Sequence, residues 1–215
     1  MAAALREIFE ADALAWLAEN AARPDASVVT SLPDLSELGE PFDAWRALFI
    51  DAARRVIRWI PPGGVAMFYQ SDVLHQGAWI DKGYLVGRAI EEERAALVFH
   101  KIVCRKPPDA AYLGRPSYSH LLAVAHAPRP ARKPSPDVLS SAGQMPWSKA
   151  MGVEACRLAC RYLLDETDTR VVVDPFCGHG TVLAVANALG LDAIGVDRSA
   201  RQCRAARRLV VDLGA

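Results

Sequence analysis

A glycine-rich turn and two acidic residues near the C-terminal end have the spacing of a nucleotide-binding site. Residues 174–181 read Asp-Pro-Phe-Cys-Gly-His-Gly-Thr and follow three valines, and Asp197 comes 19 residues after Gly178. Glycines let a backbone approach a ligand closely, and the N-terminus of a following helix offers free N–H groups. An acid at this distance can accept hydrogen bonds from ribose hydroxyls. The stretch predicts a strand, a ligand-binding turn, a helix and a second strand that ends in the acid.

Two classes of ligand compete for this turn. A dinucleotide-binding turn needs a third glycine at position 183, for close packing of helix on strand, but the residue there is Leu183. The run 174–181 together with Asp197 resembles the S-adenosylmethionine (SAM) loop of DNA N4/N6 amino-methyltransferases and of their RNA-acting relatives. A strand–turn–helix unit without a ligand is the remaining alternative. The resemblance implies SAM as the cofactor, with binding roles for Asp12, Asp174, Phe176, Cys177, Gly178, Gly180, Thr181 and Asp197.

The resemblance also implies which part of SAM each segment would contact. The backbone around Phe176, Gly178 and Gly180 would surround the methionine part, with Thr181 near its carboxylate. Asp174 would order the loop through backbone N–H groups.

The two remaining acids would hold the nucleoside. Asp197 would accept hydrogen bonds from the ribose hydroxyls, and Asp12 would accept one from the adenine amino group. The alternative for Asp12 is a helix N-cap, and one residue can fill both roles. Cys177 is expected to be a small packing residue within the loop and not a nucleophile.

A second turn, Ser31-Leu32-Pro33-Asp34, follows a predicted strand at 27–30. It resembles the catalytic turn of the same family, in which Asp, Asn or Ser precedes two prolines and an aromatic residue. Ser31 and Pro33 fit that pattern, whereas Leu32 replaces a proline and Asp34 replaces the aromatic. In the family, an oxygen acceptor and a backbone carbonyl orient an amine. A carboxylate at Asp34 could instead remove a proton from a ring nitrogen or a hydroxyl, or it could only cap the next turn.

Aromatic and basic residues are candidates to contact a nucleic acid. Tyr69 and Trp79 lie near the predicted site, and aromatic faces suit an extruded or single-stranded base. Core packing is the alternative for Trp79. Basic residues in loops could contact phosphates, or could simply be solvated. These basic candidates are Arg105, Lys106, Arg115, Arg129, Arg132 and Lys133.

Runs of β-branched and apolar residues predict the strands that must position these groups. Two consecutive strands, 95–103 and 118–125, have no helix between them and predict an antiparallel pair. Helical periodicity is clearest after Pro41, up to the stop at 61–64. Seven strands are predicted in all, at 6–9, 27–30, 65–69, 95–103, 118–125, 171–173 and 193–196.

These elements predict an α/β fold with a seven-stranded, Rossmann-like SAM-methyltransferase sheet, mostly parallel with one antiparallel strand. Because the SAM-binding unit comes last in the chain, the order is circularly permuted, as in the permuted amino-methyltransferases. One domain is expected over 1–215. It comprises a catalytic half at 1–126, a linker at 127–147 and a SAM-binding half at 148–215.

Composition sets limits on the partners. The 215 residues include 25 Lys plus Arg and 25 Asp plus Glu, so only a local patch could attract a polyanion. Five cysteines, with no Cys-x-x-Cys, suggest free thiols in a reducing compartment, and no metal site is expected. No apolar run is long enough for a membrane span, so a cytoplasmic protein is predicted. Oligomerisation remains open.

The function expected from these features is methyl transfer from SAM to a nucleic-acid base. Structured RNA, with tRNA favoured, is preferred because only about 20 residues separate the strand at 118–125 from Ser148, too few for a domain that reads DNA sequence. The alternatives are a DNA N6-adenine or N4-cytosine methyltransferase with a separate recognition partner, and a non-catalytic subunit with the SAM fold. A nicotinamide-dependent oxidoreductase is disfavoured by Leu183.

Overall fold

The computed structural model describes residues 4–214. Eight strands form one sheet and two short strands form a separate hairpin. The strands are β1 (Arg6–Glu10), β2 (Ala26–Thr30), β3 (Ala66–Gln70), β4 (Val73–His75), β5 (Ala78–Ile80), β6 (Ala96–Cys104), β7 (Tyr118–Ala125), β8 (Val138–Leu139), β9 (Val171–Asp174) and β10 (Asp192–Asp197).

The sheet has the strand order β1-β10-β9-β2-β3-β7-β6-β8. Strand β7 runs antiparallel to both of its neighbours, and every other pair is parallel. The predicted sheet, mostly parallel with one antiparallel strand, is therefore confirmed. The neighbours of β9 are β10 and β2, which lie at opposite ends of the chain, as the circular permutation requires.

Residues 4–214 contain seven helices, six of which cover the two faces of the sheet. Helices α5, α6 and α7 contribute to one apolar cluster, and α1, α3 and α4 contribute to the other, so the two faces of the sheet are both buried. The helices are α1 (Ala13–Glu19), α2 (Leu35–Leu38), α3 (Phe42–Trp59), α4 (Lys82–Glu92), α5 (Val153–Glu166), α6 (Thr181–Ala188) and α7 (Ala200–Arg208). No helix within residues 4–214 is both long and apolar enough to cross a membrane.

Successive side chains of the central strands point to alternate faces of the sheet, which explains why the chain has two apolar clusters. In β9, Val172 faces the cluster that includes α5 and α6, whereas Val171 and Val173 face the cluster that includes α3. Successive side chains of a strand point to opposite faces, so an uninterrupted valine run suits a strand that is covered on both sides. Small residues on α5, among them Cys156 and Cys160, are fully buried and let this helix approach the sheet closely.

All seven predicted strands are present, and the differences are additions and shifted ends. The hairpin β4–β5, strand β8 and helix α2 were not predicted. Strand β8 lies inside the expected linker and pairs with β6, so that segment is partly built into the sheet. The sequence predicts a helix capped by Ser148, but α5 begins after Gly152.

The residues after Asp197 predict one helix from a cap at about Ser199 to Leu213, but α7 ends at Arg208. The Arg6 guanidinium donates to the carbonyls of Ala206 and Leu209 at 2.8 and 2.6 Å. These bonds satisfy carbonyls that a longer helix would have used, and the two β-branched residues that follow favour extended backbone.

Candidate active site

A cleft of about 630 Å³ opens at the carboxyl ends of the central strands. It lies where β9 separates β10 from β2, which is the point at which ligands bind in open parallel sheets. The predicted glycine-rich turn and the predicted catalytic turn both line it. The predicted site residues among its lining are Asp12, Ser31, Pro33, Phe176, Gly178 and Asp197.

The glycine-rich turn is held in an unusual backbone conformation. Gly178 and Gly180 have φ angles of +52° and +77°, which a side chain would strain. Asp174 orders the turn: it accepts hydrogen bonds from Thr30 Oγ1 at 2.7 Å and from the backbone N–H of Phe176 at 3.1 Å. Burial raises the pKa of Asp174 to about 7. This carboxyl is enclosed by the sheet and does not line the cleft.

Asp197 connects the second strand to the turn. One carboxylate oxygen accepts from the backbone N–H of Gly178 at 3.1 Å, and the other accepts from that of Ser199 at 2.8 Å. Each oxygen keeps a second lone pair, so the carboxylate can still accept hydrogen bonds from a ligand in the cleft. Asp12 caps α1 through the N–H groups of Leu14 and Ala15, and its position at the cleft permits both roles considered for it.

Two buried polar atoms near the turn suggest a polar ligand. Over residues 4–214, no hydrogen-bond partner is found for Thr181 Oγ1 at the start of α6 or for Gln202 Oε1 on α7. Unpaired buried polar groups are costly, so such atoms commonly meet a ligand or water. With the acids Asp12 and Asp197 and the glycine backbone, they match the amino-acid, ribose and adenine groups of SAM. The residues present therefore fit that cofactor.

Cys177 and Gly180 shape the glycine-rich turn through packing. Burial raises the pKa of the Cys177 thiol well above its usual range, which favours a packing role over that of a nucleophile. All five cysteines are buried, and no disulfide joins any of them within the described chain. A Cβ at Gly180 would lie 2.9 Å from Ala206 Cβ, so α7 can approach the turn only because this residue is glycine.

Two residues beside the cleft were not predicted from the sequence. The Trp147 ring stacks on His179 with a centroid separation of 4.4 Å and covers Gly178. Lys149 pairs with Glu37 of α2 at 2.8 Å, which joins the segment before α5 to the far wall of the cleft. The only sequence signals were a tryptophan at the end of the predicted linker and a lysine at the start of the predicted SAM-binding half.

The catalytic turn lies opposite the glycine-rich turn. Ser31, Leu32 and Pro33 line the cleft, and the Trp45 indole donates to the Pro33 carbonyl at 3.2 Å. Asp34 itself does not line it. One of its carboxylate oxygens accepts from the N–H of Leu35 at 2.6 Å within a capping box.

The other carboxylate oxygen of Asp34 lies 3.4 Å from Lys82 Nζ. The Lys82 side chain is only 4% exposed, and burial lowers its pKa although Asp34 opposes that effect. Both oxygens of Asp34 thus have partners in the chain. This arrangement favours the capping role over the role of a general base.

The aromatic candidates do not line this cleft. Side chains of β3 alternate between the two faces of the sheet, and Tyr69 lies on the face that α5 covers. It is therefore buried in the apolar cluster beside α5. That location contradicts the expectation that it stacks on a base. Trp79 lies on the hairpin, is 52% exposed, and lines a second cleft of about 530 Å³ with Tyr112, Arg115 and Tyr118.

The basic candidates divide between the two edges of the sheet. Arg129 donates to the Gly63 carbonyl, and the backbone N–H groups of Arg132 and Lys133 donate to Glu166. Gly63 precedes β3 and Glu166 precedes β9, so these three residues lie at the amino-terminal edge, opposite the cleft. Their location does not favour a contact with a substrate in the cleft, and it favours the alternative of solvated loop charge. The antiparallel direction of β7 is the reason for this location, because it carries the chain to that edge.

A cluster of three titratable side chains was also missed. Asp72 after β3, Asp81 at the cap of α4 and His120 on β7 place one ligand atom each within 4.8 Å of one another. Asp72 and Asp81 are separated by a hairpin and His120 lies on another strand, so no sequence motif indicated that the three meet. The expectation of no metal site rested on cysteine spacing alone.

The chain resembles known DNA methyltransferases. Residues 158–208 match the sequence model of the DNA methylase family (N6_N4_Mtase). The comparison with curated proteins gave no match.

Solved structures share the fold over nearly the whole chain. A candidate DNA modification methylase from Thermus thermophilus superposes with a TM-score of 0.72 at 20% identity, covering 94% of this chain and 92% of that one. The cytosine-N4-specific PvuII DNA methyltransferase gives 0.77 at 14% identity, covering 99% and 89%. The M1.HpyAVI–SAM complex gives 0.67 at 15% identity, covering 95% and 98%.

These likenesses confirm the predicted fold and the predicted resemblance to amino-methyltransferases. The matched segment contains the glycine-rich turn and Asp197, on which the resemblance was partly based, whereas Asp12 and the turn at 31–34 lie outside it. Two of these structures are named for DNA and none for RNA, so the preference for an RNA substrate is not supported.

Proposed function

Because the chain has the fold of SAM-dependent methyltransferases and a segment of the DNA methylase type, we propose that it transfers a methyl group from SAM to an exocyclic amino group of a DNA base. The main supporting observation is the cleft that brings the glycine-rich turn and the Ser31–Pro33 turn to the same switch point of the sheet. A cofactor held by one turn would face a substrate held by the other.

We assign SAM to the side of the cleft formed by α6, α7 and the glycine-rich turn. Asp197 would accept hydrogen bonds from the ribose, Asp12 from the adenine amino group, and the backbone at Phe176 and Gly178 would surround the methionine part. Thr181 Oγ1 would be the partner of the SAM carboxylate. When bound there, SAM supplies an electrophilic methyl group on a sulfonium.

The opposite turn would position the amine. The Ser31 hydroxyl is an acceptor at the cleft, and the indole of Trp45 fixes the turn by its bond to the Pro33 carbonyl. An acceptor that takes a hydrogen bond from the amino group directs the nitrogen lone pair toward the methyl group. The apolar wall formed by Leu32, Trp45 and Phe49 would limit the access of water to that point.

The way in which the substrate is recognised remains a proposal. Between β7 and α5 the only regular structure among residues 126–152 is the two-residue strand β8. The described chain therefore contains no inserted domain that could read a DNA sequence, and we propose that a separate partner supplies this recognition. The same observation keeps structured RNA as the second candidate substrate, since shape can replace base readout.

We propose to test cofactor and substrate separately. Calorimetry with SAM and with NAD⁺ examines the cofactor, and SAM carrying a labelled methyl group with duplex DNA, single-stranded DNA and tRNA examines the substrate. Nucleoside mass spectrometry then identifies the methylated base. We expect SAM to bind, NAD⁺ not to bind, and label to appear on N4 of cytosine or N6 of adenine in DNA. Label in tRNA alone would overturn the DNA assignment, and binding of NAD⁺ alone would overturn the cofactor.

The SAM contact assigned to Asp197 is tested by Asp197→Ala, with Asp192→Ala as the matched control. Asp192 is an acid at the opposite end of β10, the strand that carries Asp197. Asp197→Ala should weaken SAM binding by about 1–3 kcal/mol, because ribose hydroxyls would lose their acceptor. Asp192→Ala should leave SAM affinity unchanged. Equal losses in the two variants would indicate a general effect on β10 and not a SAM contact.

A further inference from the structure

The cluster of Asp72, Asp81 and His120 lies outside the site described above. Asp72 Oδ1 is 3.1 Å from His120 Nε2, and Asp81 Oδ1 is 3.8 Å from the same nitrogen. Asp72 and Asp81 line the second cleft, together with the hydroxyl-bearing residues Ser117 and Tyr118. The cluster is therefore open to solvent on one side and buried on the other.

These separations fit ligands of one metal ion. Ligand atoms about 2.1 Å from a common ion, at tetrahedral or octahedral angles, lie ~3.0–3.4 Å from one another. The observed distances of 3.1 and 3.8 Å require only a small adjustment to reach that range. We propose that Asp72, Asp81 and His120 form a binding site for one divalent first-row cation at the second cleft.

The surroundings of His120 suit a metal ligand. Its Nδ1 lies 2.9 Å from His100 Nε2, so the pair can hold Nδ1 protonated. Nε2 then carries a lone pair, and an ion would replace the hydrogen bond that the other tautomer makes from this nitrogen to Asp72 Oδ1. A ligating histidine usually has its other ring nitrogen held by such a hydrogen bond, which sets the ring orientation. His100 would thus act as a positioning residue and not as a ligand.

The carboxylates also keep oxygens for an ion. Asp72 Oδ1 accepts from the Lys82 backbone and Asp81 Oδ1 accepts from the Tyr84 backbone. These bonds fix both side chains at the N-terminus of α4, and each Oδ1 keeps a second lone pair for an ion. Asp72 Oδ2 accepts from the Tyr118 hydroxyl at 3.5 Å. Two carboxylates that face one nitrogen repel each other unless a positive charge lies between them.

A second and independent observation is the side chain of Gln70. It is 1% exposed, and over residues 4–214 neither its amide oxygen nor its amide nitrogen has a hydrogen-bond partner. Gln70 is the direct cross-strand partner of His120, so the two side chains share one face of the sheet. Its amide oxygen would supply a fourth ligand.

The donor set indicates the kind of ion. Imidazole suits Zn²⁺ and other first-row ions, whereas carboxylate and amide oxygens suit Mn²⁺, Mg²⁺ and Ca²⁺. A set with one histidine and several oxygens therefore favours Mn²⁺ or Zn²⁺ over Mg²⁺. The inference rests on this cluster alone and does not depend on the proposed methyl transfer.

Metal titration of the full chain tests the site. Protein treated with a chelator and dialysed is titrated by calorimetry with MnCl₂, ZnCl₂ and MgCl₂, and Mn²⁺ is also followed by electron paramagnetic resonance. We expect one Mn²⁺ or Zn²⁺ per chain and weaker binding of Mg²⁺. Asp72→Asn and Asp81→Asn should each lower the affinity at least tenfold, and His100→Ala should lower it about 10–100-fold.

The control variant is Asp168→Asn, an exposed acid before β9 at the opposite edge of the sheet. It should bind the ion as tightly as the wild-type protein. Asp81 is half exposed and is expected to tolerate substitution, so its variant tests the site even if Asp72→Asn does not fold. Absence of ion uptake by the wild-type chain, or equal uptake by the wild type and both aspartate variants, would overturn the proposal.

Discussion

At the scale of single residues, the buried carboxyl of Asp174 has the clearest consequence for pH. Burial raises its pKa to about 7, whereas an exposed aspartate has a pKa near 3.8. Between these values the folded chain holds a proton that the unfolded chain has released. The free energy of unfolding should therefore fall as the pH rises through this window, by at most ~1.4 kcal/mol per pH unit.

Asp174→Asn should remove this pH dependence. An asparagine oxygen can still accept from Thr30 and from Phe176 N–H, but it does not titrate. The unfolding free energies of both proteins are measured in urea at pH 5, 6 and 7.5. Their difference at each pH removes the contribution of all other titrating groups, because both proteins share those groups. We expect this difference to shift in favour of Asp174→Asn as the pH rises. A constant difference would show that Asp174 is ionised throughout.

Asp34 is the second residue with a sharp test. Asparagine is as good an N-cap as aspartate, whereas alanine costs about 0.5–2 kcal/mol of stability. We expect Asp34→Asn to keep a near-normal single-turnover rate and Asp34→Ala to lose stability, because the carboxylate caps α2 and faces Lys82. Asp43→Asn, on the exposed start of α3, is the control. A fall of roughly 10²–10⁴-fold in Asp34→Asn would restore the role of Asp34 as a general base.

At the scale of elements, the glycine-rich turn and the segment before α5 fit against each other. A Cβ on Gly178 would lie 2.8 Å from the Trp147 ring, and the residue also has a positive φ. Gly178→Ala should therefore destabilise the chain by about 1–3 kcal/mol and weaken SAM binding. Thermal unfolding and SAM calorimetry measure the two effects.

The double variant with Trp147→Ala separates the two causes. Removal of the ring relieves the collision but not the backbone strain, so part of the stability should return. Full recovery would show that the positive φ costs nothing. No recovery would show that the ring moves aside in the single variant.

At the scale of the whole molecule, the direction of the strands decides which basic residues can meet a nucleic acid. Lys106 and Arg115 lie in the loop between β6 and β7 at the edge that carries both clefts, and Lys106 lies over the Tyr112 ring. The logarithm of the DNA-binding constant falls linearly with the logarithm of the salt concentration. Removing either charge should make this slope shallower by about one for each lost phosphate contact.

The matched controls for this prediction are Arg129→Ala and Lys133→Ala, which change charge equally at the opposite edge. Fluorescence anisotropy of labelled DNA at several salt concentrations gives the slopes. We expect no change in the controls. A lower slope in the controls, with none in the Lys106 and Arg115 variants, would place the nucleic acid at the other edge.

Local patterns were sufficient to predict much of the fold. The seven strands, the reversed strand β7 and the permuted order follow from short apolar runs and from where helices interrupt them. The glycine-rich turn, Asp197 and the Ser31–Pro33 turn were also predictable, because each depends on neighbours in the sequence. Strand β8 and the hairpin β4–β5 were not, since strands of two or three residues carry too little pattern to distinguish them from loops.

Contacts between distant segments could be decided only by the folded chain. Asp72, Asp81 and His120 come from three elements, and Trp147 reaches Gly178 across the sheet edge. Residue type did not reveal that Tyr69 is buried or that Asp34 faces Lys82, because both depend on which face of a strand or helix a side chain occupies. Sequence patterns report periodicity along the chain, whereas these contacts depend on how separate elements pack in three dimensions.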